Sequence, residues 1–382
     1  MSKDLRVCLD LTSLQSQRTG VDRYLLTLLS GLIKLGETDV ALTVLVNRGD
    51  RDEIEDIACN AATVVTASPG GRLGRIFSLA CAVPAFTIRN GFNVVHSPSF
   101  IMPPVRAGSK HVVTVLDMTT HTRPECHTRL RRSLAFRAAV SSSIRRADLV
   151  LVPTNHVRND VLRLFPTMHE ARVRTVPLGL DPSFHFTGNA TADRSQELNG
   201  DPYILFVGTF EPRKNLRILL DAYRRAVTTR GLRHRLVIAG PSGWGTMSES
   251  STINTPWFRE HVDLVGYVPQ RELVGLFRGA SLFVYPSIEE GFGYPPLEAM
   301  ACGTPVIAGS TSSLIENLEG AAVLIAPDDP DALAEAIFNL ANNQEHQNAL
   351  RTRGLEKARQ FTEEATARRT LECYRELARY DG

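Results

Sequence analysis

Pro286 to Ala308 reads PSIEEGFGYPPLEAMACGTPVIA, and the organisation of the whole chain can be worked outward from it. The run Leu282 to Tyr285 just ahead of it is apolar, short and closed by a proline, the pattern of a buried strand. Glu290 and Glu298 then bracket a glycine-rich turn that contains Gly291, Phe292 and Gly293. Pro295 or Pro296 suits the first position of a helix, Ala299, Met300 and Ala301 continue it, and Gly303 with Pro305 stops it. The order is therefore strand, loop, short helix. Glycines let a ligand approach the backbone, and the free amides at a helix start favour an oxyanion or a hydroxyl lone pair. Two carboxylates nearby add recognition of a polyol. The plainer reading makes Glu298 an offset to the helix dipole, worth ~0.3 to 1 kcal/mol, and Gly-Phe-Gly an ordinary turn.

Upstream, the first half alternates apolar strand candidates with amphipathic helices. Arg6 to Leu9, Ala41 to Val46, Val94 to His96, Val112 to Leu116, Leu149 to Val152 and Val173 to Val176 read as strands. Val21, Tyr24, Leu25, Leu28, Leu29 and Leu32 recur at helical spacing and predict one buried helix face. Pro182 to Gly200 loses periodicity and reads as a linker. A second series comes after it, with strands at Tyr203 to Val207, Leu236 to Ala239, Val262 to Val265, Leu282 to Tyr285, Pro305 to Ala308 and Ala322 to Ile325. Alternation of this kind implies right-handed crossovers and parallel sheets covered on both faces, so the fold class is α/β with two doubly wound, Rossmann-like domains. Ligands of such folds sit beyond the carboxyl ends of strands, which places the expected site in an interdomain cleft.

The bulk properties agree. A chain of 382 residues exceeds what a single core supports. A formal charge of +2 argues against a dedicated nucleic-acid binder. The six cysteines, Cys8, Cys59, Cys81, Cys126, Cys302 and Cys373, lack zinc-type spacing and are expected to be buried free thiols in a reducing compartment. Charged residues interrupt the amino terminus too early for a signal peptide, and no run approaches the ~20 apolar residues of a membrane helix, so a cytoplasmic location is expected.

The pattern E-G-F-G-x-x-x-x-E-A-M-A-x-G-x-P-V, running from Glu290 to Val306, resembles the signature of the retaining GT-B glycosyltransferases of family GT4, the glycosyl transferases group 1. The resemblance covers nearly the whole chain and is dense from Tyr203 to Pro327. It implies an acceptor-side domain over 1–185 and a domain binding a nucleotide-sugar donor over 200–362, with the last helix, 363–379, crossing back onto the first. In FVGTFEPRKNLRILL, Phe206 to Leu220, a strand leads through a basic loop into a helix with Asn215 as its expected N-cap. Arg213 and Lys214 there bring charge and donors together as a diphosphate requires. An isolated Arg-Lys pair is more often solvated; beside two glutamates the resemblance assigns this loop, with Gly208 and Thr209, to the donor diphosphate. Many relatives have an arginine directly after the glycine, where this chain has Thr209.

Further roles rest on the same resemblance. Gly20, in RTGVDRY, matches a glycine turn that faces the donor phosphates, although one glycine before a helix is ordinarily only a turn. VVTVLDMTTHTRP, Val112 to Pro124, resembles the family's strand ending in His-Asp, but Leu116 stands where histidine is common. Asp117 remains, and His121 is near enough in sequence to replace the imidazole. In VDLVGYV the backbone of Gly266, Tyr267 and Val268 is implied to meet the nucleobase, with Glu298 on the ribose and Glu290 on sugar hydroxyls. No cofactor and no metal are expected: Asp328, Asp329 and Asp331 fit helix capping better than Mg²⁺ ligation. The basic stretch Arg129 to Arg146 reads as one amphipathic helix, either a crossover helix with a solvated face or a surface attracted to anionic lipid at the inner face of the cytoplasmic membrane.

The resemblance implies transfer of a hexosyl group to a glycan or lipid-linked acceptor, and because VGTFEPRKNL and LDMTTH resemble segments of bacterial polysaccharide mannosyltransferases, the expected donor is GDP-mannose, with UDP-sugars next. A GT-B nucleotide-sugar epimerase and a degenerate, non-catalytic binding subunit are the alternatives. A Rossmann dehydrogenase is disfavoured, because the loop from Asp10 to Gly20 has no GxGxxG.

Overall fold

The computed structural model describes residues 5–15, 18–105, 108–186, 201–241 and 255–379. The chain forms two compact units: residues 1–121, 129–181 and 361–382 make the first, residues 122–128 and 182–360 the second. The linker expected over 182–200 lies outside the described residues from 187 onward, and Pro182–Phe184 is a single 3-10 turn.

The first unit is built on β1 (Leu5–Asp10), β2 (Val40–Asn47), β3 (Thr63–Ser68), β4 (Val94–Ser97), β5 (Lys110–Thr114), β6 (Leu149–Val152) and β7 (Val173–Thr175), in the spatial order β3-β2-β1-β4-β5-β6-β7. Every pairing is parallel. Of these strands the periodicity missed β3: its residues TVVTAS sit half exposed at the sheet edge, so it carries no apolar run. β5 also starts and stops earlier than expected, which leaves Leu116 in the loop beyond it. The helix Gly20–Lys34 buries Tyr24, Leu25, Leu28 and Leu29, and at its start Asp22 accepts from both the backbone N–H and the hydroxyl of Thr19 at 2.7 Å.

The last helix, Glu363–Arg379, belongs to this unit and packs on Gly20–Lys34. Gly31 makes that approach close, since a Cβ there would stand 2.4 Å from the carbonyl oxygen of Glu363. Tyr374 continues the contact inward: its hydroxyl meets His96 Nδ1 at 2.6 Å, and His96 Nε2 meets Thr114 at 2.8 Å. The basic stretch does not form one helix. Only Leu134–Arg146 is helical, opened by Ser133, whose hydroxyl accepts from Phe136 N–H, and Leu134 is 81% exposed rather than on the buried face.

The second unit repeats the plan with β8 (Tyr203–Val207), β9 (Arg235–Ala239), β10 (Val262–Gly266), β11 (Leu282–Tyr285), β12 (Val306–Gly309) and β13 (Val323–Ile325), in the order β10-β9-β8-β11-β12-β13 and all parallel. Each strand predicted from the second series is found within a residue or so of its expected bounds. The order matters more than the strands. β8 and β11 are neighbours, with Leu282 opposite Ile204 and Phe283 opposite Leu205, although about 75 residues separate them. On one side of this pair the chain winds outward through β9, on the other through β12, so the loops leaving β8 and β11 flank the crevice expected where the strand order reverses, at their carboxyl ends.

Cys8, Cys126 and Cys302 are buried as expected; Cys59 and Cys81 are exposed. Among the described residues no helix is long and apolar enough to cross a membrane.

Candidate functional site

At the β8/β11 crevice the basic loop and the glutamate loop become one structure. After β8 the chain makes a 3-10 turn, Pro212–Lys214, and enters the helix Leu216–Arg230. Asn215 is not the side-chain cap that its type and place predict. Its backbone is left-handed at φ 58°, and its side-chain amide donates across the crevice to the carbonyls of Pro286 at 3.1 Å and Pro327 at 2.6 Å. Ile288 N–H donates to the Arg213 carbonyl at 2.9 Å. These bonds seat the basic turn against the loop after β11.

That docking brings Arg213, Lys214 and Glu290 together. Lys214 Nζ lies 2.7 Å from Glu290 Oε1, and Arg213 donates to Glu290 Oε2 at 2.6 Å and through Nε to Glu211 at 2.7 Å. Lys214 and Glu290 are each 7% exposed. Burial alone would raise the Glu290 carboxyl, but Arg213 and then Lys214 bring it down to about 2. Burial and the adjacent Arg213 push the Lys214 ammonium the other way from its usual basicity, against the pull of Glu290. Two cations thus face one shared carboxylate in a desolvated pocket.

The glycine loop is held from behind. The Ser312 hydroxyl accepts from Glu290 N–H at 3.0 Å, the Ser313 hydroxyl donates to the Glu290 carbonyl at 2.7 Å, and the Asn317 amide donates to the Phe292 carbonyl at 2.7 Å. Gly293 has φ 89°, and a Cβ there would lie 2.6 Å from the Leu314 side chain, so this turn requires glycine on two counts. Tyr294–Ala301 follows as the short helix, with prolines in its first turn. Glu298 lies on it, 1% exposed, and Gly291 and Phe292 are buried alongside.

The other residues singled out from sequence are placed as follows. Gly208 and Thr209 are half-buried at the end of β8, where Gly208 N–H donates to the Ala239 carbonyl at 2.9 Å. Gly266 closes β10, and Tyr267, 43% exposed, and Val268 follow it in the same unit. Gly20, Asp117 and His121 belong to the first unit. Gly20 is the first, exposed residue of its helix. Asp117 accepts from Thr119 N–H at 2.9 Å and from its hydroxyl at 2.5 Å. His121 is half-buried, with Nε2 3.1 Å from Ser141 Oγ and Nδ1 3.1 Å from Thr120 Oγ1. Burial first and Arg137 second lower its pKa, which leaves a neutral imidazole. Asp329 caps the helix Pro330–Ala341, accepting from Asp331 and Ala332 N–H, and Asp331 pairs with Arg225 at 2.6 Å.

Sequence reasoning missed several contributors. Tyr285 was legible only as a strand residue, yet its hydroxyl lies 2.9 Å from Glu290 Oε1 and also meets Lys214 Nζ. Ser287 reaches the same oxygen at 2.7 Å. Glu289 accepts from the Thr122 hydroxyl at 2.9 Å and Arg123 Nε at 3.0 Å, both on the segment 122–128 that the second unit includes. A hydroxyl at a strand end, or two residues beyond it, was the available signal for Tyr285 and Ser287; nothing in the pattern pointed to Thr122 or Arg123.

Two family profiles match the chain: Glycosyltransferase Family 4 over residues 18–184 and Glycosyl transferases group 1 over residues 189–357. An O-antigen chain mannosyltransferase B of Escherichia coli is 31% identical over 289 residues, 74% of this chain and 74% of that protein. Among solved structures, a sucrose-phosphate synthase from Thermosynechococcus elongatus superposes with a TM-score of 0.76 at 20% identity, covering 97% of this chain and 98% of the other. Anabaena HepE, solved in complex with UDP and glucose, superposes at 0.73 with 17% identity, over 97% and 99% of the two chains.

Proposed function

We propose that this chain, which belongs to glycosyltransferase family 4 and is accordingly a retaining hexosyltransferase of GT-B fold, moves mannosyl from GDP-mannose to a hydroxyl of a glycan or lipid-linked oligosaccharide during polysaccharide assembly. The observation that carries the reading is the pair of cations, Arg213 and Lys214, converging on Glu290 at the β8/β11 crevice. When a glycosidic bond to a nucleoside diphosphate breaks, negative charge grows on the leaving diphosphate. Fixed cations in a dry pocket stabilise that charge more in the transition state than in the ground state, and this difference is what accelerates the reaction. The amides of the loop from Gly291 to Gly293 are assigned to the same oxygens. Glu290 is kept ionised by its neighbours, so it acts as an acceptor for sugar hydroxyls rather than as an acid.

Glu298 is assigned to the ribose and the backbone from Gly266 to Val268 to the base. Asp117 and a neutral His121 are assigned to the acceptor side, and Gly20 to the donor phosphates. The choice of mannose leans on the mannosyltransferase relative; UDP-sugars come second, since HepE holds UDP. Donor identity is testable directly by thermal shift. GDP-mannose at 100 times its dissociation constant should stabilise the protein by about 2.7 kcal/mol, and the shift should exceed that with UDP-glucose at equal concentration. A larger shift with UDP-glucose would reassign the donor, and none with any nucleotide sugar would contradict the site.

A lipid-linked acceptor asks for contact with a membrane surface. Leu130 is 48% and Leu134 81% exposed, beside the exposed guanidinium side chains of Arg129 and Arg132. Each such charge near an anionic bilayer contributes ~1 kcal/mol. Flotation with phosphatidylglycerol vesicles should recover the protein, and Arg129→Ala/Arg132→Ala should reduce the recovery; equal recovery with neutral vesicles would remove this contact.

A further inference from the structure

We infer that Tyr285 is a positioning residue for the transfer reaction, holding the Lys214 ammonium and the Glu290 carboxylate in register whether or not a diphosphate occupies the site. The inference rests on the proposed role of Lys214 as a leaving-group cation. Tyr285 ends β11, is fully buried, and has a ring fixed by stacking on Phe283 at 5.8 Å and Phe206 at 6.0 Å between centroids. Lys214 Nζ stands 4.9 Å from the centre of that ring and contacts its hydroxyl. The same hydroxyl is 2.9 Å from Glu290 Oε1.

Donor chemistry gives this trio one direction. An ammonium has no acceptor, so Lys214 donates to the phenol oxygen; the phenol proton must then go to Glu290, which only accepts. Burial, followed by Glu290, raises the phenol well above its usual pKa, so the hydroxyl keeps its proton at neutral pH and serves as a donor, not a base.

The need for such a residue appears when a ligand arrives. Both cations are directed at Glu290. A diphosphate competes for both of them, and a buried carboxylate that loses its partners is strongly disfavoured. The Tyr285 and Ser287 hydroxyls, 2.9 and 2.7 Å from Oε1, remain to satisfy it while Lys214 turns. Because the phenol oxygen also bonds the ammonium, it limits how far Lys214 swings. A purely structural buried tyrosine needs one acceptor. Here both partners are site residues.

Tyr285→Phe keeps the ring, its stacking and the cation–π contact, and removes only the two hydrogen bonds. We expect kcat to fall by about tenfold with KM for the donor nearly unchanged, and the alkaline limb of the kcat profile to move to lower pH, because the ammonium loses an acceptor that favours its charged form. Lys214 is one of five lysines, with Lys3, Lys34, Lys110 and Lys357, so its side-chain NMR titration can be followed without any substrate. Its midpoint should drop by about half a pH unit or more in the variant. An unchanged midpoint and an unchanged kcat, with only a lower melting temperature, would overturn the assignment. Should the variant fail to fold, the wild-type protein decides: with saturating inorganic pyrophosphate the Tyr285 hydroxyl proton should stay protected from exchange, and free exchange would overturn it. Neither NMR measurement depends on mannose being the sugar, so an error in donor identity is read separately, from the donor assay of the wild-type enzyme.

Discussion

Replacing Lys214 by alanine should lower kcat for sugar transfer by about two to three orders of magnitude while leaving the fold intact. The size follows from the place of the ammonium. Removing one preorganised group that faces developing negative charge in a desolvated site typically costs ~10²–10³ in kcat. Lys214 is 7% exposed and fixed by Glu290, Tyr285 and the docked turn Pro212–Lys214, so little reorganisation is left to occur during reaction. The fold should survive because Glu290 keeps Arg213 at 2.6 Å and the Ser287 and Tyr285 hydroxyls, so the truncation leaves no uncompensated carboxylate. Steady-state kinetics with a saturating acceptor, together with a melting curve, would check both halves. A variant that retained more than about a tenth of kcat would contradict the role given to this cation.

Glu290→Gln should damage stability as well as activity. With the carboxylate gone, Lys214 and Arg213 lose in a buried pocket the anion they share, while Arg213 keeps its ion pair with Glu211. Breaking a buried ion cluster from the side of its single shared partner costs about 3 to 5 kcal/mol. Acid behaviour gives an independent reading. The Glu290 carboxyl is lowered from 4.5 to about 2, so its ionised form contributes stability that is fully present above pH ~4.5 and is lost as pH falls toward ~2. That contribution is about 3 kcal/mol at neutral pH. Denaturant unfolding followed from pH 6 downward should show the wild-type protein losing stability across this window and Glu290→Gln losing correspondingly less. Parallel curves for the two proteins would mean that the carboxylate is not held by the cations as described.

Much of this site is legible in the amino-acid sequence alone. Glu290, Gly293 and Glu298 declare themselves because a tight turn between a strand and a helix needs glycine where φ is positive, and two carboxylates at fixed spacing around it are residues of unmistakable type. Arg213 and Lys214 are legible for a similar reason: a basic pair at the end of an apolar strand has few dull explanations once a second loop of this kind follows. Sequence misleads where geometry decides what a residue does. Asn215 has the composition of an N-cap, but a left-handed backbone turns its amide across the crevice instead. Arg129 to Arg146 carries apolar residues at suitable intervals, yet Ser133 opens the helix four residues late and Leu134 points to solvent. β3 leaves no signal because threonines and serine interrupt its one apolar pair, Val64 and Val65, and of its residues Ser68 alone is buried.

Local chemistry therefore settled the strands of the second unit, the turn that must contain glycine, and which side chains are charged, since each depends on a few consecutive residues and on periods of two or 3.6. Adjacency lay beyond it. Pairing of β8 with β11 joins segments about 75 residues apart, and that long-range pairing sets two cations on the carboxylate that the nearby Tyr285 hydroxyl also meets and moves its pKa. Composition can supply charges, but the desolvation and mutual distance that give them their strength arise only when the sheet is assembled.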